Sequence, residues 1–134
     1  MKKIFLYIVF LFSLSISAQE CRDSIEEKTE IKNLKLFKEN AHASYYHDKF
    51  DGRKTASGVR FDNSKLTAAH KKLPFGTKLK ITNEKNNKSV IVVVTDRGPF
   101  INGREIDLSK KAFMDITSNK KSGVVFVKIE IIEN

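Results

Sequence analysis

Val90–Phe100 reads VIVVVTDRGPF, and its two halves ask for opposite surroundings. Five consecutive β-branched residues, Val90 to Val94, read as a buried strand, because branched Cβ atoms pack well on a pleated surface. The strand then ends on a carboxylate, Asp96, followed by Arg97, a glycine, a proline and an aromatic ring. Proline fixes φ and donates no hydrogen bond, so a Gly-Pro pair stops the strand in a rigid turn. A core strand that delivers a carboxylate to a fixed turn reads as a mount for chemistry.

Working outward, TKLKIT (Thr77–Thr82) alternates with period two and NEKNNK (Asn83–Lys88) is a polar turn, so Thr77–Val94 reads as a β-hairpin. Upstream lie AHASYY (Ala41–Tyr46), a second alternating run, and KLTAAH (Lys65–His70), which leads into the LPFG turn. Downstream, REIDL (Arg104–Leu108) is a brief strand and GVVFVKIEII (Gly123–Ile132) a long one. Ser109 can cap a helix through KKAFMDI, its hydroxyl accepting from an orphan backbone N–H. Six short strands and one helix within the last 94 or so residues predict a mainly-β fold closed into a small barrel.

The ends differ from this pattern. Lys2 and Lys3, the apolar run IFLYIVFLF and a small residue at Ala18 have the anatomy of a secretory signal peptide over residues 1–18. An uncleaved anchor is the plainer alternative, although the run is shorter than the ~20 residues that a membrane-crossing helix needs. Cys21, the single cysteine, would be acylated in a lipoprotein, but Glu20 stands where a small residue is wanted. With no second cysteine the exported domain has no internal disulfide and must rest on its hydrophobic core. Residues 19–40 are charged, lack Gly and Pro, and read as a linker or a short helix; the barrel domain is expected over 41–134. Removing the signal peptide leaves about 115 residues, one small domain, and lowers the formal charge of +9 by two. A basic exported protein meets anionic polymers such as the cell wall, and charge of this size brings attraction and not specificity. Nucleic acid is disfavoured by the export signal and by the absence of a binding motif.

Three polar clusters can carry chemistry: KTASGVRFD (Lys54–Asp62), LTAAH, which ends on His70, and TDRGPF, which holds Asp96. Taken in order, ASYY, GRKTASG, FD, LTAAH, LPFGT, TN, VVVTDRGPF and GREIDLS resemble the rare lipoprotein A family across Ala41–Ile132. The resemblance implies a six-stranded double-psi β-barrel related to expansins, with one short helix. It also implies an endolytic lytic transglycosylase that cleaves the β-1,4 bond between N-acetylmuramic acid and N-acetylglucosamine in peptide-poor glycan strands, leaving 1,6-anhydromuramoyl ends. The family's catalytic aspartate falls on Asp96 and its histidine on His70. Its further acidic residue, after TASG, is replaced here by Val59, which can neither donate nor accept a proton. That departure supports a noncatalytic, expansin-like wall-binding module as the alternative. A barwin-like secreted inhibitor is a third reading, weakened by the missing disulfide framework.

The chemistry tolerates one acid. Hydrolysis by water normally needs two carboxylates. A sugar's own 6-hydroxyl can replace water, so one group can protonate the leaving oxygen and then take the hydroxyl proton. Asp96 and His70 are the expected catalytic residues. Tyr45, Thr55, Ser57, Gly58 and Arg97 are the expected substrate contacts: an aromatic ring for a pyranose face, small groove-wall residues, and a guanidinium. Tyr45 and Tyr46 should face opposite ways along a strand. Asp62 and Asp107 read as structural acceptors. His42 and His47 lack a metal spacing, and no metal or cofactor is expected. The expected partner is the peptidoglycan glycan strand, met by a monomer in the periplasm or cell envelope. Membrane attachment is expected only if Cys21 is lipidated.

Overall fold

The computed structural model describes residues 33–118 and 121–133; the expected signal peptide, Cys21 and residues up to 32 lie outside them. Six strands form a closed barrel: β1 (Leu34–Tyr45), β2 (Thr67–His70), β3 (Lys78–Asn83), β4 (Ser89–Asp96), β5 (Ile106–Leu108) and β6 (Val124–Ile132), in the spatial order β1-β5-β2-β4-β3-β6. β1 with β5 and β2 with β4 are parallel; the other neighbours are antiparallel. The single helix, α1 (Lys110–Ile116), is capped by the Ser109 hydroxyl, which accepts from the Ala112 N–H. No helix among the described residues is long and apolar enough to cross a membrane.

Alternation builds the core. Leu79 and Ile81 of β3, Val92 and Val94 of β4, Ile106 and Leu108 of β5, and Val127 and Ile129 of β6 are all fully buried, and Phe113 and Ile116 of α1 join them. Inward residues take every second position, as period two requires. The Val90–Val94 run obeys the same rule: Ile91 points outward and is 38% exposed, so the strand is buried on one face instead of two. The expected hairpin is β3–β4, and Asn87 takes a positive φ of 60° in its turn, a conformation that asparagine tolerates.

One boundary is corrected. Leu34–Asn40 belongs to β1 and pairs with β6 from Leu34↔Ile132 onward, so this part of the charged segment is strand, neither linker nor helix. Residues 35–40 are exposed, the apolar Leu36 and Phe37 among the charged ones, while the pairing itself uses only backbone.

Candidate active site

Asp96 owes its position to an irregularity in β4. Ala68 pairs with Val94, but the next residue, Ala69, pairs with Asp96, so Thr95 is the extra residue of a bulge. Bulges re-aim a side chain, and this one sets Asp96 beside Ala69. The register continues sideways from Ala69 to Asp107 on β5, Ser44 on β1 and Val124 on β6. Ile106, Leu108 and Ala43, which flank Asp107 and Ser44, point into the core, so this row faces outward. Ala69, fully buried, contributes only a methyl between the two aspartates. The carbonyl of Thr95 accepts from the Ser57 N–H at 3.2 Å, docking the Thr55–Gly58 loop on the bulge.

Three donors converge on the Asp96 carboxylate. Oδ1 accepts from the backbone N–H of Ala56 and of Arg97, each at 2.9 Å. Oδ2 accepts from the Tyr46 hydroxyl at 2.6 Å. Burial, then the hydrogen bond to Asp96 and the charges of Asp96 and Asp107, push the Tyr46 phenol far above its ordinary pKa, so it stays protonated and donates. Its ring is braced by Phe61 at 4.4 Å and by Phe50 at 5.7 Å. Asp107 is held by Ser44 and Arg104, each donating to Oδ1.

The loop of Thr55, Ser57 and Gly58 is docked beside Asp96 by the Ala56 and Ser57 N–H groups. Thr55 Oγ1 donates to the Val59 carbonyl at 2.6 Å and lies 3.0 Å from the Ser57 hydroxyl. Gly58 has φ +91° with open space where a Cβ would stand, so the turn demands glycine for its backbone and not for room. Val59 projects from this loop, 59% exposed. Asp62 closes on the Ser64 N–H and hydroxyl and is held below the usual carboxylate range by those bonds; it does not fill the acidic position that Val59 leaves.

Three expectations are corrected. Tyr45 packs on Phe113, with ring centroids 4.7 Å apart, and leans on the core; Tyr46 is the tyrosine at the carboxylate. Arg97 directs its guanidinium to the His70 and Leu73 carbonyls, at 3.3 and 2.8 Å, and stacks over Phe75. His70 is 1% exposed, buried where a surface contact was expected. Its Nδ1 accepts from the Lys72 and Leu73 N–H groups at 3.1 and 3.2 Å, which leaves the proton on Nε2, 3.5 Å from Glu105 Oε1. Phe37 closes on the ring edge-on at 5.2 Å, and Lys38 pairs with Glu105 at 2.8 Å. Burial lowers the imidazole pKa and outweighs the opposing Glu105 charge, so the ring is neutral.

Sequence reasoning also missed an apolar rim. Phe100 is 83% exposed, Ile101 57% and Phe75 41%; the Phe100 ring stands 3.7 Å from where a Gly98 Cβ would be. The run of aromatics after Gly-Pro and Leu-Pro was the available signal. Among the described residues no group of three or more His, Cys, Asp and Glu could hold a metal ion.

Residues 38–129 match a family model described as lytic transglycolase. The chain is 50% identical over 105 residues to the endolytic peptidoglycan transglycosylase RlpA of Rickettsia felis, covering 76% of this chain and 46% of that protein. It is 50% identical over 112 residues to the protein of the same name from Rickettsia bellii, covering 81% and 49%. The chain thus spans about half or less of the curated relatives it matches. Among solved structures, a Streptomyces papain inhibitor superposes with TM-score 0.57 at 22% identity, covering 77% of this chain and 97% of that one. A Clavibacter michiganensis expansin superposes with TM-score 0.55 at 19% identity, covering 70% and 50%. These two likenesses concern the fold.

Proposed function

The chain belongs to the lytic transglycolase family of double-psi β-barrels, and from that membership we propose that it cleaves peptidoglycan glycan strands by lytic transglycosylation. The observation that carries the reading is the setting of Asp96: a carboxylate at a bulged strand end, one oxygen held by two amides, the other by the Tyr46 hydroxyl. The relatives named endolytic peptidoglycan transglycosylase support the reaction class.

The chemistry follows from that setting. With Oδ1 held by two main-chain N–H donors, Oδ2 is the oxygen left to pass a proton to and from substrate. Oδ2–H protonates the bridging O4 of N-acetylglucosamine as the bond from that oxygen to C1 of N-acetylmuramic acid breaks. The 6-hydroxyl of the muramic acid closes on C1, and its proton returns to Oδ2. No water is consumed, so no second carboxylate has to activate one. Tyr46, whose hydroxyl can both donate and accept, keeps Oδ2 oriented at each stage. Asp107 is neutralised by its ion pair with Arg104 and, with Ser44, braces the row beside Asp96. Phe100 and Phe75 offer ring faces for pyranose C–H groups. The Lys2–Ala18 pattern supports export to the cell envelope, where the substrate is.

Peptide-free glycan strands incubated with the purified chain, followed by mass spectrometry, test the reading. Products one water lighter than hydrolysis products are expected, and Asp96→Asn should abolish them, since acid–base groups of this kind contribute about 10²–10⁴-fold in rate. Strand retention without any product would assign the chain to wall binding instead. Val59→Glu, on the exposed loop beside Asp96, is expected to raise the rate.

A further inference from the structure

The loop that docks on Asp96 sorts its charges. Residues 48–62 hold three acids and four bases. Each acid is turned onto the fold itself: Asp48 accepts from Lys110 and the Asn63 side-chain amide, Asp51 from the Asn63 N–H, and Asp62 from Ser64. The bases are left outward. Lys49, Arg53, Lys54 and Arg60 are exposed, and none of them forms an ion pair with a carboxylate among the described residues. Lys54 and Arg60 stand opposite each other in an antiparallel bridge, where Cα atoms are about 4.5–5.5 Å apart and like charges destabilise. Arg60 is steadied by one bond, from Nη1 to the Gly52 carbonyl at 3.1 Å. Acids spent elsewhere and two bases set face to face leave a place for an anion from outside.

The place is close to the reacting bond. Ala56, two residues beyond Lys54, gives its N–H to Asp96, and two residues span no more than about 7 Å. From there the positive surface leads away from Asp96: Arg53 precedes Lys54, and Arg53 and Lys49 share the Phe50 ring at 5.5 and 5.2 Å. Val59, which takes the place of the family's acid, is next to Arg60. An acid there would stand within the ~8–10 Å over which exposed charges still act, and would compete with an external anion.

We propose that Lys54 and Arg60 form a carboxylate-binding site for the stem peptide of a muramic acid near the scissile bond, and that Val59 sets its strength by leaving both bases uncompensated. The inference rests on the glycan-cleaving reading above. A stripped strand keeps a single lactyl carboxylate close to each muramic ring. A stem peptide carries several carboxylates, on its acidic residues and its C-terminus, and they lead away from the ring as the four bases lead away from Asp96. Guanidinium and ammonium groups gain charge-assisted bonds from such carboxylates and not from their amides. This chain thereby accepts peptide-bearing strands.

Three preparations of labelled glycan strand test the site: peptide-bearing, peptide-bearing with the peptide carboxyls converted to methylamides, and peptide-free. Binding is followed by fluorescence anisotropy with the full chain carrying Asp96→Asn, so that the strands stay whole. Peptide-bearing strands are expected to bind at least fivefold more tightly than the other two. In that background Lys54→Gln, whose side chain makes no bond among the described residues, should reduce the preference at least threefold, as should Val59→Glu. Equal affinity for the peptide-bearing and methylamide strands, peptide-free strands binding as tightly as either, or an undiminished preference in Lys54→Gln would overturn the site. Anhydro-end formation by the parent chain is assayed in parallel to separate the two readings. Preference in a chain that makes no anhydro ends upholds the site and defeats the lytic reading; anhydro ends without preference do the reverse.

Discussion

Replacing Tyr46 by phenylalanine removes one oxygen and leaves the ring on Phe61 and Phe50. The Asp96 Oδ2 loses the hydroxyl that donates to it. A hydrogen bond to a charged group is worth about 1.5–3 kcal/mol, so kcat for anhydro-end formation should fall about 10- to 150-fold while the melting temperature changes little. His70 calls for a different comparison. Its imidazole holds the 71–73 turn through Nδ1, and that turn supplies the Leu73 carbonyl on which Arg97 rests. His70→Asn places an acceptor oxygen where Nδ1 stood and should retain most of the activity. His70→Gln moves the acceptor one carbon further and should lose it; a direct proton-transfer role would instead make both variants inactive. The buried ring also sets a pH dependence. Its folded pKa lies below the ordinary value of about 6.5, so the unfolded chain takes up the proton first as pH falls. Stability is therefore flat above that value and declines from about 6.5 down through the folded pKa. Thermal melts against pH should show this slope in the parent and not in His70→Asn.

At the level of elements, Ser109 links α1 to the strand that delivers His70. It is fully buried, accepts from the Ala112 N–H at 3.3 Å and donates to the Lys65 carbonyl. Ser109→Ala loses the cap and leaves that carbonyl unpaired, a cost of about 1–3 kcal/mol measurable by urea unfolding. Gly58→Ala acts elsewhere: nothing crowds the new methyl, but φ +91° strains an L-residue by about 1–2 kcal/mol. Relief of that strain draws the Ala56 amide from Asp96, so activity should fall further than stability does. The sequence made these elements readable because alternation, turn residues and a capping serine are local signals. Leu34–Asn40 escaped because register shifts between Leu36 and Lys38 and between Lys38 and Ala41, with Asn40 at φ 49°, break the two-residue period. In the site, Asp96 and the Thr55–Gly58 loop were legible from their motifs. The choice of Tyr46 over Tyr45, the burial of His70 and the direction of Arg97 were not, since each depends on where a bulge or turn aims a side chain.

Over the whole molecule, closure of the barrel leaves no strand edge free, and the early part of β1 is what completes it. Leu34, Lys35, Leu36 and Lys38 pair with Ile132, Ile131, Glu130 and Ile129 of β6. The same segment sets Phe37 against His70 and Lys38 against Glu105. A chain beginning at Ala41 keeps every sequence motif and every residue around Asp96, yet it opens one side of β6 and uncovers the imidazole. Losing four backbone pairings, a ring contact and a half-buried ion pair should cost at least about 2 kcal/mol, a fall in melting temperature of roughly 8–16 °C for a domain this size. A chain beginning at Asn33 retains all of β1 and serves as the reference. Differential scanning calorimetry on the two chains decides the matter: equal melting temperatures would mean that Leu34–Asn40 only lies on the barrel. If the shorter chain melts early and also makes fewer anhydro ends at temperatures where it remains folded, closure acts on the site as well as on stability. The route is then physical and short, from Phe37 to the His70 ring, to the Leu73 carbonyl, to Arg97, and from the Arg97 amide to Asp96.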